Sequence, residues 1–203
     1  MYKAIIILIL SYLVGTIPTG YLLLKITRKE DIRNLGSGNI GFTNVLRVAG
    51  LFSGIVVLLV DTGKAFAIPY FLSNYFESPS LFRMLLGISV ILGNTFNPFL
   101  KFKGGKGVAA GLGVALAINP YSAIFCVTAF SVVVLIFRYI SLGSLTAAAV
   151  FLISNTLFHR YQEKNIWAII FAALLFIAVY IRHISNIKRL FQGEENKIGK
   201  RKQ

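Results

Sequence analysis

The sequence predicts an all-α membrane protein of about seven transmembrane helices, with its amino terminus outside and its carboxyl terminus in the cytoplasm. Three observations carry that expectation. Hydrophobic residues make up 56% of the 203, and mean hydropathy is +0.74. They gather in apolar runs near the length, about 20 residues, that a helix needs to cross a bilayer. The formal net charge is nevertheless +14, and the basic residues fall between the runs rather than along one amphipathic face. That distribution marks membrane topology and contact with anionic lipid, and speaks against nucleic acid as a partner.

The first run, Ala4 to Ile26, is too long and wrongly flanked for a cleaved signal peptide. It is expected to remain as a helix, kinked where Gly15 and Pro18 interrupt it. Lys25, Arg28, Lys29, Arg33 and Arg47 follow, which makes the first loop cytoplasmic. The second span covers about 51–72 and holds Asp61 and Lys64. Asp61 is the single acid within any span; a lone charge there is costly, so an ion pair with Lys64 is expected in preference to a proton relay. The connector 73–80 carries Glu77 and no Lys or Arg, and reads as external.

A third span, about 81–100, returns to Lys101, Lys103 and Lys106. The run Gly107 to Pro120 is short for a full crossing; without it the count falls to five or six. Further spans at about 121–137, 142–158 and 166–181 end at Arg138, at the mixed connector His159 to Asn165, and at Arg182. This parity puts every basic segment on one side except His159, Arg160 and Lys164. Residues 1–193 then form one integral membrane domain, and 194–203 a basic, solvated cytoplasmic tail dispensable for chemistry.

Four polar segments collect on the cytoplasmic side. In Asn34 to Arg47, Gly36, Gly38 and Gly41 free the backbone, Ser37, Asn39, Thr43 and Asn44 add donors, and Arg47 adds a cationic fork. Such a loop running into a helix start suits a phosphate or carboxylate, although a flexible polar connector has the same composition. In the second segment, Phe102 to Val108, three glycines surround Lys106 and should bring the N–H groups of Gly104, Gly105 and Gly107 near an anion. It is no Walker A loop, because no hydroxyl follows Lys106. A plain basic turn accounts for Lys101 and Lys103 but not for the glycines. The third, Arg138 to Ser144, carries Ser141 beside a helix start, where N-capping is the simplest reading. The fourth, Arg182 to Asn186, puts His183 and Asn186 on one helix face, where a histidine can also serve the helix dipole alone.

Several chemistries are missing. There is no G-x-S-x-G nucleophile motif. Lys164 and Lys188 stand where an H-x-x-x-x-D dyad would need aspartate after His159 and His183. Cys126 is the single cysteine, so no disulfide forms within the chain. One thiol and two histidines argue against a metal site, and no cofactor is expected.

The segments G-S-G-N-I-G-F-T-N-V-L-R, K-F-K-G-G-K-G-V-A, R-Y-I-S-L-G-S and R-H-I-S-N, in that order, resemble the bacterial acyl-phosphate:glycerol-3-phosphate acyltransferases, the PlsY family. V-G-T-I-P-T-G in the first span and D-T-G-K in the second match as well, so the likeness covers nearly the whole chain. It implies a seven-span enzyme of the bacterial inner membrane with its active site facing the cytoplasm. The implied reaction moves a fatty acyl group from acyl phosphate to the primary hydroxyl of sn-glycerol 3-phosphate, giving lysophosphatidic acid and phosphate at the start of phospholipid synthesis. A monomer suffices for it. Carried over by position, Ser37, Thr43, Asn44 and Arg47 bind phosphate, Lys106 is the substrate-binding and catalytic lysine, and Ser141, His183 and Asn186 contact substrate, with His183 also a catalytic candidate. One departure stands out: the family's L-G-H-x-[FY]-P is L-G-N-T-F-N-P here, with Asn94 for histidine and Pro98 displaced by one.

The residues support such a reaction without the likeness. An acyl phosphate is already activated, so no covalent enzyme intermediate is required. Catalysis then needs two anions held together and developing charge stabilised, which Arg47, Lys106, Arg182 and the Gly-rich segments can supply. The base is either His183 or an oxygen of the substrate's own phosphate. The competing class is a membrane transporter or binding protein for an organic phosphate, built on similarly broken helices. Against it stand the absence of an inverted repeat and the gathering of all polar motifs on one side.

Overall fold

Proline, glycine and asparagine set where the helices begin and end. The computed structural model describes residues 2–161 and 165–198, and every regular element among them is helical. The helices gather into two compact units, Met1–Ile118 and Asn119–Gln203.

In the first unit α1 (Tyr2–Gly15) and α2 (Thr19–Arg28) are the two halves of the expected kinked span. Pro18 has no N–H to continue the ladder, and at the break the Thr19 N–H turns to the Ile17 carbonyl at 3.1 Å instead of that of Gly15. The answer comes from α4 (Leu51–Leu72). Lys64 Nζ donates to the Ile17 carbonyl at 2.7 Å and pairs with Asp61 at 2.8 Å, and the Thr19 hydroxyl donates to the same carboxylate at 2.7 Å. The expected ion pair is present, and it holds the break as well as neutralising itself.

Behind the break, α1 lies directly against α5 (Pro79–Thr95). A Cβ on Gly15 would stand 2.2 Å from the Val90 carbonyl oxygen, and one on Gly93 2.1 Å from that of Tyr12. Only glycine lets these two backbones touch, the usual device for helix packing where lipid gives no hydrophobic drive. The amphipathic α3 (Phe42–Ala49) buries Val45 with Leu24, Ile32, Ile40, Val57 and Leu100, which ties the first loop to α2 and α4. The unit closes with α6 (Val108–Ile118), whose 11 residues would span about 16 Å, roughly half a hydrocarbon core.

In the second unit α7 (Pro120–Phe137), α8 (Ile140–Tyr161) and α9 (Ile166–Arg182) follow the expected order. Asn119 caps α7 by accepting from the Ser122 N–H at 3.1 Å, and Asn165 caps α9 at 3.3 Å. Phe151 and Phe171 meet edge to face between α8 and α9. At His183 the chain bends by 60° into α10 (Ile184–Phe191), so the expected helical segment from Arg182 to Asn186 is broken at its second residue.

Among the described residues five helical segments are long and apolar enough to cross a membrane, or six if α9 and α10 count as one bent span. Their outer surfaces carry exposed Ile, Leu and Phe, as lipid-facing helices do. Residues 162–164 of the connector, including Lys164, and residues 199–203 of the expected tail lie outside the described residues.

Candidate active site

The first polar loop is organised from within by Asn44. Its side chain is 1% exposed and fully engaged: Nδ2 donates to the carbonyls of Leu35 and Asn39 at 2.9 and 2.8 Å, and Oδ1 accepts the Ser37 N–H at 2.8 Å. Both amide hydrogens are thus engaged by the loop, so Asn44 braces it from within. Gly36 and Gly38 take φ of 59° and 72° so that the chain can wrap around this amide. Just ahead, the hydrogen bond from Arg33 pulls the Asp31 carboxyl down to about 2 and stiffens the approach. What the loop displays is the remaining set. Ser37 and Arg47 are exposed and Thr43 is half-buried; Thr43 and Arg47, four residues apart, share a face of α3.

The second loop is held by the end of α5. Gly104 N–H donates to the Thr95 carbonyl at 3.1 Å and Gly105 N–H to that of Asn94 at 3.0 Å. Two of the three glycine N–H groups expected to face an anion are therefore committed to backbone. The physical reason for glycine is closeness: a Cβ on Gly104 would stand 2.2 Å from the Asn94 carbonyl oxygen. Lys101 and Phe102 adopt left-handed φ of 53° and 59°, a conformation unfavourable for both, with the Phe102 N–H anchored on the Asn97 carbonyl at 2.7 Å. Asn97, 1% exposed, accepts from the Phe99 N–H and donates to the Thr16 carbonyl, so this loop is joined to the break in the first span. Lys106, half-buried, emerges from this fixed frame two residues ahead of α6.

In the second unit Ser141 and Asn186 converge on one carboxylate oxygen. The Ser141 hydroxyl donates to Glu195 Oε1 at 2.9 Å and Asn186 Nδ2 to the same atom at 2.7 Å, while Arg189 Nε reaches Oε2 at 2.7 Å. Ser141 is the second residue of α8 and so lies inside the helix rather than at its N-cap. Burial alone would raise the Glu195 carboxyl, but the hydrogen bonds from Asn186, Ser141 and Arg189 outweigh it and hold the group below its ordinary 4.5. At two points the start of the expected solvated tail is tied down: Glu195 is 9% exposed, and the Ile198 N–H donates to the Arg138 carbonyl at 2.9 Å. His183, 3% exposed, has Nδ1 at 2.8 Å from the Val179 carbonyl. A carbonyl only accepts, so Nδ1 carries the proton and Nε2 is the basic nitrogen of the neutral ring. Backbone therefore orients His183 through Nδ1.

Residues 5–193 match the family model described as glycerol-3-phosphate acyltransferase. The chain belongs to that family. A glycerol-3-phosphate acyltransferase of Thermoanaerobacter pseudethanolicus is 38% identical over 198 residues, covering 98% of this chain and 97% of that one. Two crystal structures of PlsY, an integral membrane glycerol 3-phosphate acyltransferase, are 34% identical and cover 97% of this chain and 96% of theirs. One is its glycerol 3-phosphate form, with a TM-score of 0.88, and the other its lysophosphatidic acid form, with 0.85. The likeness read from the four motifs is thus a family relationship, and the chain is a multi-pass membrane protein.

Within this glycerol-3-phosphate acyltransferase fold, some motif residues are held by groups that the motifs leave out. Glu195 is the plainest omission. Its sequence signal is an acidic pair, Glu194-Glu195, inside a basic tail, and nothing there tells which of the two turns inward. Asn97 is the other. Its Asn-Pro context marks a turn, while its reach to Thr16, 81 residues back, leaves no local trace.

Proposed function

We propose that the chain transfers a fatty acyl group from acyl phosphate to the primary hydroxyl of sn-glycerol 3-phosphate. The observation that carries this is the full-length match, in sequence and in fold, to relatives solved with glycerol 3-phosphate and with lysophosphatidic acid. The hydroxyl oxygen attacks the acyl carbonyl carbon, the bond from that carbon to the phosphate oxygen breaks, and the proton leaves with the phosphate. The products are lysophosphatidic acid and inorganic phosphate.

Lys106 stabilises phosphate charge as it develops. Ser37, Thr43 and Arg47 bind phosphate oxygens, with Asn44 supporting them by fixing the loop. Ser141, Asn186 and His183 hold glycerol 3-phosphate, and a phosphate oxygen of the substrate takes the hydroxyl proton while His183 positions the glycerol. Because the leaving group is already a good one, neither a covalent intermediate nor a metal or cofactor enters the scheme.

We further propose seven crossings in the bacterial inner membrane, counting α6 as a short one, with the amino terminus outside and the polar motifs cytoplasmic. One monomer is the working unit. The positive-inside distribution of Lys and Arg supports that orientation.

The test is phosphate release by purified protein given palmitoyl phosphate, with and without glycerol 3-phosphate. Release that depends on both substrates is expected, and lysophosphatidic acid formation, measured in parallel, compares palmitoyl-CoA as donor. Activity with the thioester alone would replace the donor. Lys106→Ala should cut turnover roughly 100-fold or more, whereas Lys103→Ala, serving topology, should change it little. Equal activity in the two variants would remove Lys106 from the site.

A further inference from the structure

The outer side of α9 carries Ile170, Leu174, Ile177 and Ile181, between 36% and 59% exposed, at spacings that keep them on one face. With α9 counted among the proposed crossings, this is its lipid-facing surface. The 60° bend at His183 ends the span, yet the exposed apolar surface does not stop there. Ile184 is 50% exposed and Phe191 90%, and with the exposed Lys188 they occupy one stripe of α10. Asn186 and Leu190 point the other way, Asn186 to Glu195 and Leu190 toward Leu145, Ala148 and Val179.

Neither internal packing nor the proposed chemistry accounts for a phenylalanine that open. Its surroundings are basic: Arg182, Lys188, Arg189 and Lys197 stand against Glu194 and the buried Glu195, and the sequence adds Lys200, Arg201 and Lys202. We propose that α10 is an interfacial helix that docks on anionic lipid headgroups. Phe191 and Ile184 enter the boundary of the acyl chains, and Lys188 and Lys197 meet headgroup phosphates. A bilayer is the occupant because the stripe continues one that already faces lipid, and anionic lipid because the flanking charge is positive. The inner side of the same helix carries Asn186, so headgroup binding on the outer side steadies the Asn186–Glu195 contact. The inference does not depend on the acyl donor or on the transfer reaction.

The test places a nitrobenzoxadiazole probe on Phe191→Cys, in a Cys126→Ser background, in nanodiscs of phosphatidylcholine with and without phosphatidylglycerol. Quenching of the probe by aqueous dithionite should slow several-fold when phosphatidylglycerol is present, and high salt should reverse the slowing. Lys188→Glu with Lys197→Glu should abolish it, and the milder Lys188→Gln should weaken it in protein whose fold is undisturbed. A probe on Tyr75→Cys, exposed on the first unit, should not respond. Equal quenching in both lipids, slowing that survives charge reversal, or equal slowing at position 75 would each overturn the proposal. A probe at 191 that is open in both lipids but shielded by an added protein would reassign the surface to a protein partner, and overturn it equally.

Discussion

Two parts of this molecule present polar groups from an apolar scaffold, and they are held in opposite ways. Around its glycines the Lys106 loop is fixed by backbone meeting backbone, Gly104 to Thr95 and Gly105 to Asn94, where side-chain identity at the acceptors hardly matters, while the Asn97 side chain braces its approach. Ser141 and Asn186 are fixed by a single side chain, Glu195, which brings together residues 54 and 9 positions away. A backbone frame is sensitive to bulk where the chains touch and indifferent to most other changes. A side-chain frame concentrates its whole dependence in one residue. Substitutions should therefore fail at different places in the two parts.

The largest effect is expected at Glu195. Removing it leaves Ser141, Asn186 and Arg189 without their shared acceptor in a mostly buried position. Such a loss costs on the order of 3 kcal/mol, since each stranded polar group adds its own desolvation penalty. Glu195→Ala should therefore lower the unfolding midpoint in detergent and abolish most turnover, while Glu194→Ala, on the exposed neighbour, should do neither. If the two variants unfold alike, the side-chain frame is not what holds the second unit's polar end.

Next comes Gly104. A methyl group there collides with the Asn94 carbonyl, so Gly104→Ala must push the loop away from α5 and carry Lys106 with it. Misplacing a charged group by about 1 Å costs on the order of 100-fold in rate. Asn94→Ala keeps the carbonyl that matters and should stay within about tenfold of the parent. Rates for both variants at matched folded protein decide the point. A greater loss at Asn94 than at Gly104 would mean that the loop is held by side chain after all.

The same contrast explains what the sequence can disclose. Asp61 and Lys64 are three residues apart inside an apolar run, and the cost of burying either alone is enough to pair them. Gly15 and Pro18 announce the kink because proline cannot donate and glycine invites close approach. The ends of α4 coincide with those expected, since a glycine and a polar turn bound a continuous apolar run. Asn44 was legible as a polar residue of a Gly-rich loop but not as its internal brace, because an asparagine reads the same whether it faces ligand or backbone. Nor do glycines disclose whether their N–H groups face an anion or a neighbouring helix; at Gly104 and Gly105 they face the helix. Glu195 was least legible of all: its partners are set by the fold, and its surroundings in sequence are those of a solvated tail.

Acid should separate the two frames more gently. The folded Glu195 carboxyl sits below its ordinary 4.5, so its contribution to stability is fully present above that value and is lost as pH falls through the folded value. The backbone frame has no group that titrates in this range. As pH falls below about 4.5, wild type should lose stability more steeply than Glu195→Gln, which has no proton to take up. Parallel pH curves for the two proteins would show that the carboxylate is not held in its charged form.

The smallest effect is expected at Arg189, and it sharpens the comparison by asking which donors matter to the side-chain frame. Asn186 is 7% exposed and Ser141 6%, whereas the Arg189 side chain is 36% exposed. Water can replace a half-exposed guanidinium as a donor to Oε2, and screening weakens the charge pair, so the contact should contribute under about 1 kcal/mol. Ser141 and Asn186 sit where water has little access, and they share Oε1 between them. Arg189→Gln should therefore leave turnover within about threefold and shift the unfolding midpoint slightly, with the remaining difference shrinking as salt is raised. Ser141→Ala should destabilise more than Arg189→Gln although it removes no charge, because it strips a buried acceptor of a partner that water cannot replace. Calorimetry or fluorescence melts of both variants at low and high salt give the order directly. If Arg189→Gln proves the more damaging and salt does not reduce its effect, the carboxylate is held by charge rather than by the buried hydroxyl and amide, and the second frame is an ion pair like that of Asp61 and Lys64.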